Sequence, residues 1–168
     1  MSLTKTSTYV SVFCAVVVSS VLTGPALAAT PLEGAWLLTE TEDTDGNVDS
    51  EPHRGLMLFT SDHYSLMFAR GDKPRALFHG FIGTDEEILE AYRSIVANSG
   101  RYEVEGNRLT ILAYVAMQPN HMNGWPENPV TFSFSVDGDI LKITYVYGPA
   151  AGAKQTFRRV EGTPPPWE

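Results

Sequence analysis

Tyr64, Tyr102, Tyr114, Tyr145 and Tyr147 fall in runs of alternating character, close to Phe68, Phe132 and Phe134. A buried tyrosine needs a polar partner for its hydroxyl, which Leu, Val and Phe do not. Several tyrosines on inward faces therefore suit an apolar wall with a few polar handles, the make-up of a small-molecule pocket. The same faces equally suit a filled core. His121 and Trp125 lie in Q-P-N-H-M-N-G-W-P-E-N-P, a Pro- and Asn-rich loop. An imidazole and an indole there could gate or contact a ligand, or the loop could pack on itself through Trp125. The candidate ligand-binding residues are Tyr64, Phe68, Tyr102, Tyr114, Phe132, Phe134, Tyr145, His121 and Trp125.

The other histidines carry less. His53 lies in a polar loop and His63 at a hairpin, both read as solvated, and His79 stands between Phe78 and Phe81. No histidine pair has ligand spacing with a carboxylate, so no metal site is expected, and no cofactor is called for. Neither G-x-S-x-G, H-E-x-x-H nor a phosphate-cradling glycine loop occurs. No residue is singled out as catalytic. A cavity enzyme using one Tyr, His or carboxylate as acid or base would leave no linear motif.

Positioning these side chains falls to strands. Period-two patterns broken by turn signals predict strands at Leu32–Thr41, Gly55–Thr60, Tyr64–Arg70, Arg101–Glu105, Arg108–Met117, Val130–Val136, Ile140–Tyr147 and Lys154–Val160, with a short irregular one around Ala76–Phe81. Alternation puts Phe132 and Phe134 on one face, Tyr64 and Phe68 on another, and Tyr102 with Val104 on a third. Gly106-Asn107 is a two-residue hairpin turn. One helix is predicted at about 84–98. Thr84 and Glu87 form a capping box at its start, and Ile88, Leu89, Tyr92, Ile95 and Val96 form its apolar face. Asn98-Ser99-Gly100 supplies the stop. Eight or nine strands joined mostly by hairpins favour a mainly β chain closed into an antiparallel up-and-down barrel, large enough for a filled core or one small ligand. A two-sheet sandwich is the alternative, weakened by the lack of long cross-connections.

The chain has 168 residues. Residues 1–28 read as a cleavable secretory signal: Lys5, an apolar run from Val10 to Leu22, then Ala26-Leu27-Ala28, with cleavage after Ala28. The single cysteine, Cys14, lies inside that segment, so the mature chain has no thiol and no disulfide. Residues 29–162 form the barrel domain, and 163–168 a Pro-rich tail, stiff and exposed. Loss of Lys5 takes the net charge from -8 to -9. Phosphate binding needs a basic face, so nucleic acid is a poor partner. A secreted or periplasmic location is expected, without stable membrane insertion once the signal is removed. The oligomeric state is left open.

Three stretches together, Gly34-Ala35-Trp36, then G-L-M-L-F-T followed by D-H-Y-S-L-M, then N-S-G-R-Y-E-V-E-G-N-R-L-T, resemble the bacterial lipocalin-like domain family over about Leu32–Val160. The resemblance implies that Trp36 packs over the closed end of the barrel, beneath a basic side chain of the last strand. Arg158 and Arg159 are the candidates, and Arg159 is favoured because it shares a face with Phe157. A guanidinium over an indole contributes about 0.5 to 2 kcal/mol. This pair would be a structural closure and not a binding site. Two features differ from secreted animal lipocalins, the lack of a disulfide and the mid-chain helix, and both fit the bacterial group. The closed-barrel pattern with its aromatic, Tyr-rich interior points to a small hydrophobic molecule held inside the barrel. An isomerase or cyclase of an apolar substrate, or a filled-barrel envelope interaction module, are the alternatives.

Overall fold

The computed structural model describes residues 30–71, 74–122 and 129–160. The expected signal, the tail at 163–168 and Trp125 lie outside them. Among the described residues the chain forms β1 (Gly34–Glu42), β2 (Val48–Asp49), β3 (Gly55–Phe59), β4 (His63–Ala69), α1 (Asp85–Arg93), β5 (Ile95–Glu105), β6 (Arg108–Ala116), β7 (Val130–Asp137), β8 (Ile140–Tyr145) and β9 (Lys154–Val160). From β3 to β9 each strand pairs antiparallel with the next, and β1 pairs with both β3 and β9. The β1–β9 register runs from Ala35 opposite Val160 to Glu42 opposite Lys154. That seam closes eight strands into a barrel, while β2 merely extends the tip of β1, with Thr41 opposite Asp49. Closure abolishes the edges that an open sheet would expose.

Inward residues follow the period of two. On β8, Leu141 and Ile143 are buried while Lys142 is exposed; on β3, Gly55, Met57 and Phe59 are buried while Leu56 and Leu58 are not. The fully buried side chains, Leu32, Trp36, Leu109, Leu141 and Ile143, come from β1, β6, β8 and the segment before β1, so one core runs through the barrel. Burial of each such side chain is worth about 1.5 to 3 kcal/mol.

The helix starts where its capping box places it. The Glu87 N–H donates to Thr84 Oγ1 at 3.3 Å, and the Thr84 N–H donates back to Glu87 Oε2 at 2.8 Å. Its end is earlier than the sequence implies, at Arg93 with Ser94 as cap. Ile95 to Gly100 belong to β5, where Ile95 faces Ala69 and Val96 faces Phe68. Both residues are β-branched and suit a pleated sheet, and their match to the helical spacing was coincidental. Gly100 therefore does not stop a helix. It sits at a bulge between β5 and β6, where an added Cβ would lie 1.9 Å from the Leu112 carbonyl oxygen. The expected strand around Ala76–Phe81 does not form either. Residues 74–83 are irregular, with Leu77 and Phe81 in solvent, and α1 buries none of its residues. Among the described residues no helix is long and apolar enough to cross a membrane.

Candidate functional site

The seam comes first because it fixes the closed end. Trp36 and Arg159 are register partners, and the guanidinium carbon lies 4.0 Å from the indole centroid. Trp36 Nε1–H donates to the Leu32 carbonyl at 2.7 Å. Arg159 donates to the Pro31 carbonyl at 2.9 Å and to that of Glu33, with Asp139 3.7 Å away. Gly34 carries φ +124°, and a Cβ there would meet the Arg159 guanidinium at 2.9 Å, which explains the small residue two positions before the tryptophan. Arg159 thus touches the incoming chain, β1 and its own strand β9 at one point. Tyr102 belongs to the same end. Its hydroxyl donates to the Thr60 carbonyl at 2.7 Å and lies 2.9 Å from Thr30 Oγ1, and burial raises its pKa.

Above this end, described side chains crowd the barrel interior. Phe132 and Tyr145 meet edge to face at 5.0 Å. The Tyr64 hydroxyl donates to buried Asn98 Oδ1 at 2.7 Å, and Tyr145 donates to Gln155 Oε1 at 3.4 Å; burial pushes both phenols upward. Two spaces among these side chains measure about 10 Å³ each, room for roughly one water molecule. Tyr64, Ile111, Ala113, Val130 and His121 border one; Phe68, Phe132, Tyr145, Gln155 and Phe157 border the other. The structure therefore groups Tyr64 with His121, and Phe68 with Phe132 and Tyr145. Phe134 is half-buried against the same core.

Tyr114 and Tyr147 do not join them. Ile111 and Ala113 occupy the inward phase of β6, so Tyr114 turns outward, 52 % exposed, with its ring 5.9 Å from that of His63. Tyr147 lies past the end of β8 and is exposed, as is Val104 near the end of β5.

Among the described residues a broad apolar concavity lies on the outer wall. β1, β3 and β4 carry apolar side chains on both faces. While Trp36, Met57, Phe59, Tyr64 and Leu66 point in, Leu37, Leu56, Leu58 and Met67 point out. Register aligns them in rows, Ala35 beside Leu58 and Leu37 beside Leu56 beside Met67. They floor an open groove of about 700 Å³, ending at Val160 and Ala35 on one side and at Arg54, Arg75 and Ile95 on the other. Leu56, Leu58 and Met67 remain 39 %, 41 % and 54 % exposed. Arg75 ties the irregular segment to the helix by donating to Ser94 Oγ at 3.1 Å and to the Ala91 carbonyl at 3.4 Å. Further along, His79 pairs with Glu87. Hydrogen bonding to His79 holds the Glu87 carboxyl down at about 2, and Glu87 raises His79 in turn. The groove was missed in the sequence, where the available signal was the unbroken run G-L-M-L-F. A strand with one wet face should have a polar residue at every second position.

Eight antiparallel strands run in up-and-down order, and a tryptophan lies under an arginine at their seam. The barrel fits a lipocalin-like fold. No protein-family model matches the chain, and no curated protein matches it. Among solved structures it is similar to a lipocalin-like protein from Bacteroides uniformis, with 19 % identity and a TM-score of 0.47 over 77 % of this chain and 99 % of that one. An uncharacterized protein from Bacteroides eggerthii gives 14 % identity and a TM-score of 0.46 over the same shares. A redesigned β-barrel gives 14 % and 0.43 over 80 % of this chain and 96 % of that one.

Proposed function

We propose that this lipocalin-like barrel binds a small apolar molecule, and that the molecule lies in the outer groove over β1, β3 and β4. The observation that carries the reading is that these strands are apolar on both faces, although water covers one of them. A ligand inside the chamber would have to displace side chains such as Phe68 and Tyr145, because the spaces there hold about one water each. The groove volume of about 700 Å³ is within the range of small-molecule sites. Re-covering the exposed half of a large side chain contributes about 1 kcal/mol. Leu56, Leu58 and Met67 together thus supply about 3 kcal/mol before the cost of immobilising the ligand.

Titration with the neutral fluorophore N-phenyl-1-naphthylamine tests this. Saturable binding is expected, weakened at least tenfold by Leu58→Glu and left unchanged by Tyr64→Phe inside the chamber. Equal binding by Leu58→Glu and wild type would overturn the outer site. We also propose export through residues 1–28. The measured mass of protein purified from its host should begin at Ala29, and an intact Met1 or Ser2 start would count against export.

A further inference from the structure

The outer groove is polarised along its length. Its first outward row is Ala35, Leu58 and Ser65, and its second is Leu37, Leu56 and Met67. Ser65 accepts from the Ser99 hydroxyl at 2.8 Å, so these rows present mainly hydrocarbon. The third row holds Ala69 opposite Ile95, with Arg54 beside them, and Arg75 reaches the same end from the irregular segment. We propose that the ligand of this groove is a single-chain amphiphile with an anionic head, its alkyl tail on the leucines and its carboxylate at Arg54 and Arg75. This rests on the groove being the ligand site, and adds the sign of the head and the direction in which the molecule lies.

Charge is the first argument. The chain has 20 Asp and Glu against 12 Lys and Arg, so an average patch of its surface is acidic. Among the described residues lining the groove the balance is reversed, with two arginines and no carboxylate. A guanidinium presents several N–H donors in a plane and meets a carboxylate through paired, charge-assisted hydrogen bonds. Arg75 is also held in advance by its bonds to Ser94 Oγ and the Ala91 carbonyl. A tethered side chain loses less freedom on binding than a loose one. A cationic head at this end would meet like charge.

Length agrees with the same placement. Leu58 and Arg54 are four residues apart along β3, which is about 13 Å. An extended chain advances about 1.2 Å per bond. A tail of about ten carbons therefore reaches from the arginine end to the Ala35–Leu58 row.

Displacement of N-phenyl-1-naphthylamine by decanoate, 1-decanol and decyltrimethylammonium, alike in their tails, tests the head. Decanoate should act at about tenfold lower concentration than decanol, and the cation should be the weakest. Added NaCl should weaken decanoate and leave decanol no weaker. Arg54→Gln keeps the bonds that anchor Arg75 and should weaken decanoate alone. With Arg75→Gln added, decanoate should fall to the level of decanol while the fluorophore binds as in wild type. An unchanged far-UV circular dichroism spectrum confirms folding of both variants. Equal displacement by decanoate and decanol, with fluorophore binding still sensitive to Leu58→Glu, overturns the anionic head and leaves the outer-groove reading standing. A preference for decanoate that survives both arginine substitutions overturns the placement of the carboxylate. Calorimetry with the decyl probes covers the remaining case. Decanoate heat that Leu58→Glu abolishes, in a protein that binds no fluorophore, upholds the amphiphile, and no binding of fluorophore or of any decyl probe defeats both readings together.

Discussion

Replacing Gly100 with alanine adds one carbon where the barrel has no room for it. The new Cβ would sit 1.9 Å from the Leu112 carbonyl oxygen and 2.8 Å from the Tyr114 nitrogen. Ordinary contact is about 3.4 Å or more, so β5 and β6 would have to part by roughly 1.5 Å at the bulge. Both obstacles are backbone atoms and cannot swing aside as a side-chain tip would. Overpacking of this kind costs about 1 to 3 kcal/mol. Stretching the adjoining ladder adds about 1 kcal/mol for each weakened hydrogen bond, giving a destabilisation of about 3 kcal/mol. At roughly 3 to 5 °C per kcal/mol for a domain of this size, Tm should fall by about 10 °C. Urea unfolding followed by tryptophan fluorescence measures it, with Ser99→Ala as the neighbouring control. That change removes only the hydroxyl contact to Ser65 (2.8 Å) and should cost under about 1 kcal/mol. Were Gly100 a helix cap, as its sequence context suggests, alanine would cost only about 1 kcal/mol. A loss that small would refute both the bulge and the early end of α1.

Three further outcomes follow from the closed end, the chamber and the rim. Arg159→Met removes the cation over Trp36 and the donors to Pro31 and Glu33, and should cost about 3 kcal/mol in chemical denaturation; a change under about 1 kcal/mol would remove the seam from the account. Tyr64→Phe leaves Asn98 Oδ1 buried without its donor, for a loss of about 1 to 3 kcal/mol with N-phenyl-1-naphthylamine binding intact. The His79–Glu87 contact has a definite pH window. His79 is raised above 6.5, so its contribution is complete below 6.5 and fades as pH climbs through the raised value; Glu87 is lowered from 4.5 to about 2, so its contribution is complete above 4.5 and fades as pH drops toward about 2. NMR titration should find His79 above its ordinary value in wild type and back near it in Glu87→Gln, and identical titration curves would refute the pairing.

The barrel was legible because its evidence is local and repeated. Each strand carries its own alternation, each hairpin its own turn residues, and Gly106-Asn107 needs no distant partner to be recognised. The start of α1 was legible for the same reason, since Thr84 and Glu87 satisfy each other within one turn. Its end was not. Ile95 and Val96 fit both a helical stripe and a strand, and only the pairing of Ile95 with Ala69 decides between them. Tyr64 with Asn98 was illegible in another way, being a contact between residues 34 positions apart. Tyr114 followed from its phase with Ile111, which a count of tyrosines passes over. The groove was hidden by an assumption. Alternation marks the inward half of a strand, and on β3 the outward positions Leu56 and Leu58 are apolar as well.

Ala69 and Ile95 stand opposite each other on neighbouring strands, and everything between them is an excursion that leaves and returns at the same rung of the ladder. Its helix gives no side chain to the interior. Such a detour can be shortened, lengthened or rewritten while the staves around it keep their grip, so what overhangs the rim is free to evolve apart from what keeps the vessel closed.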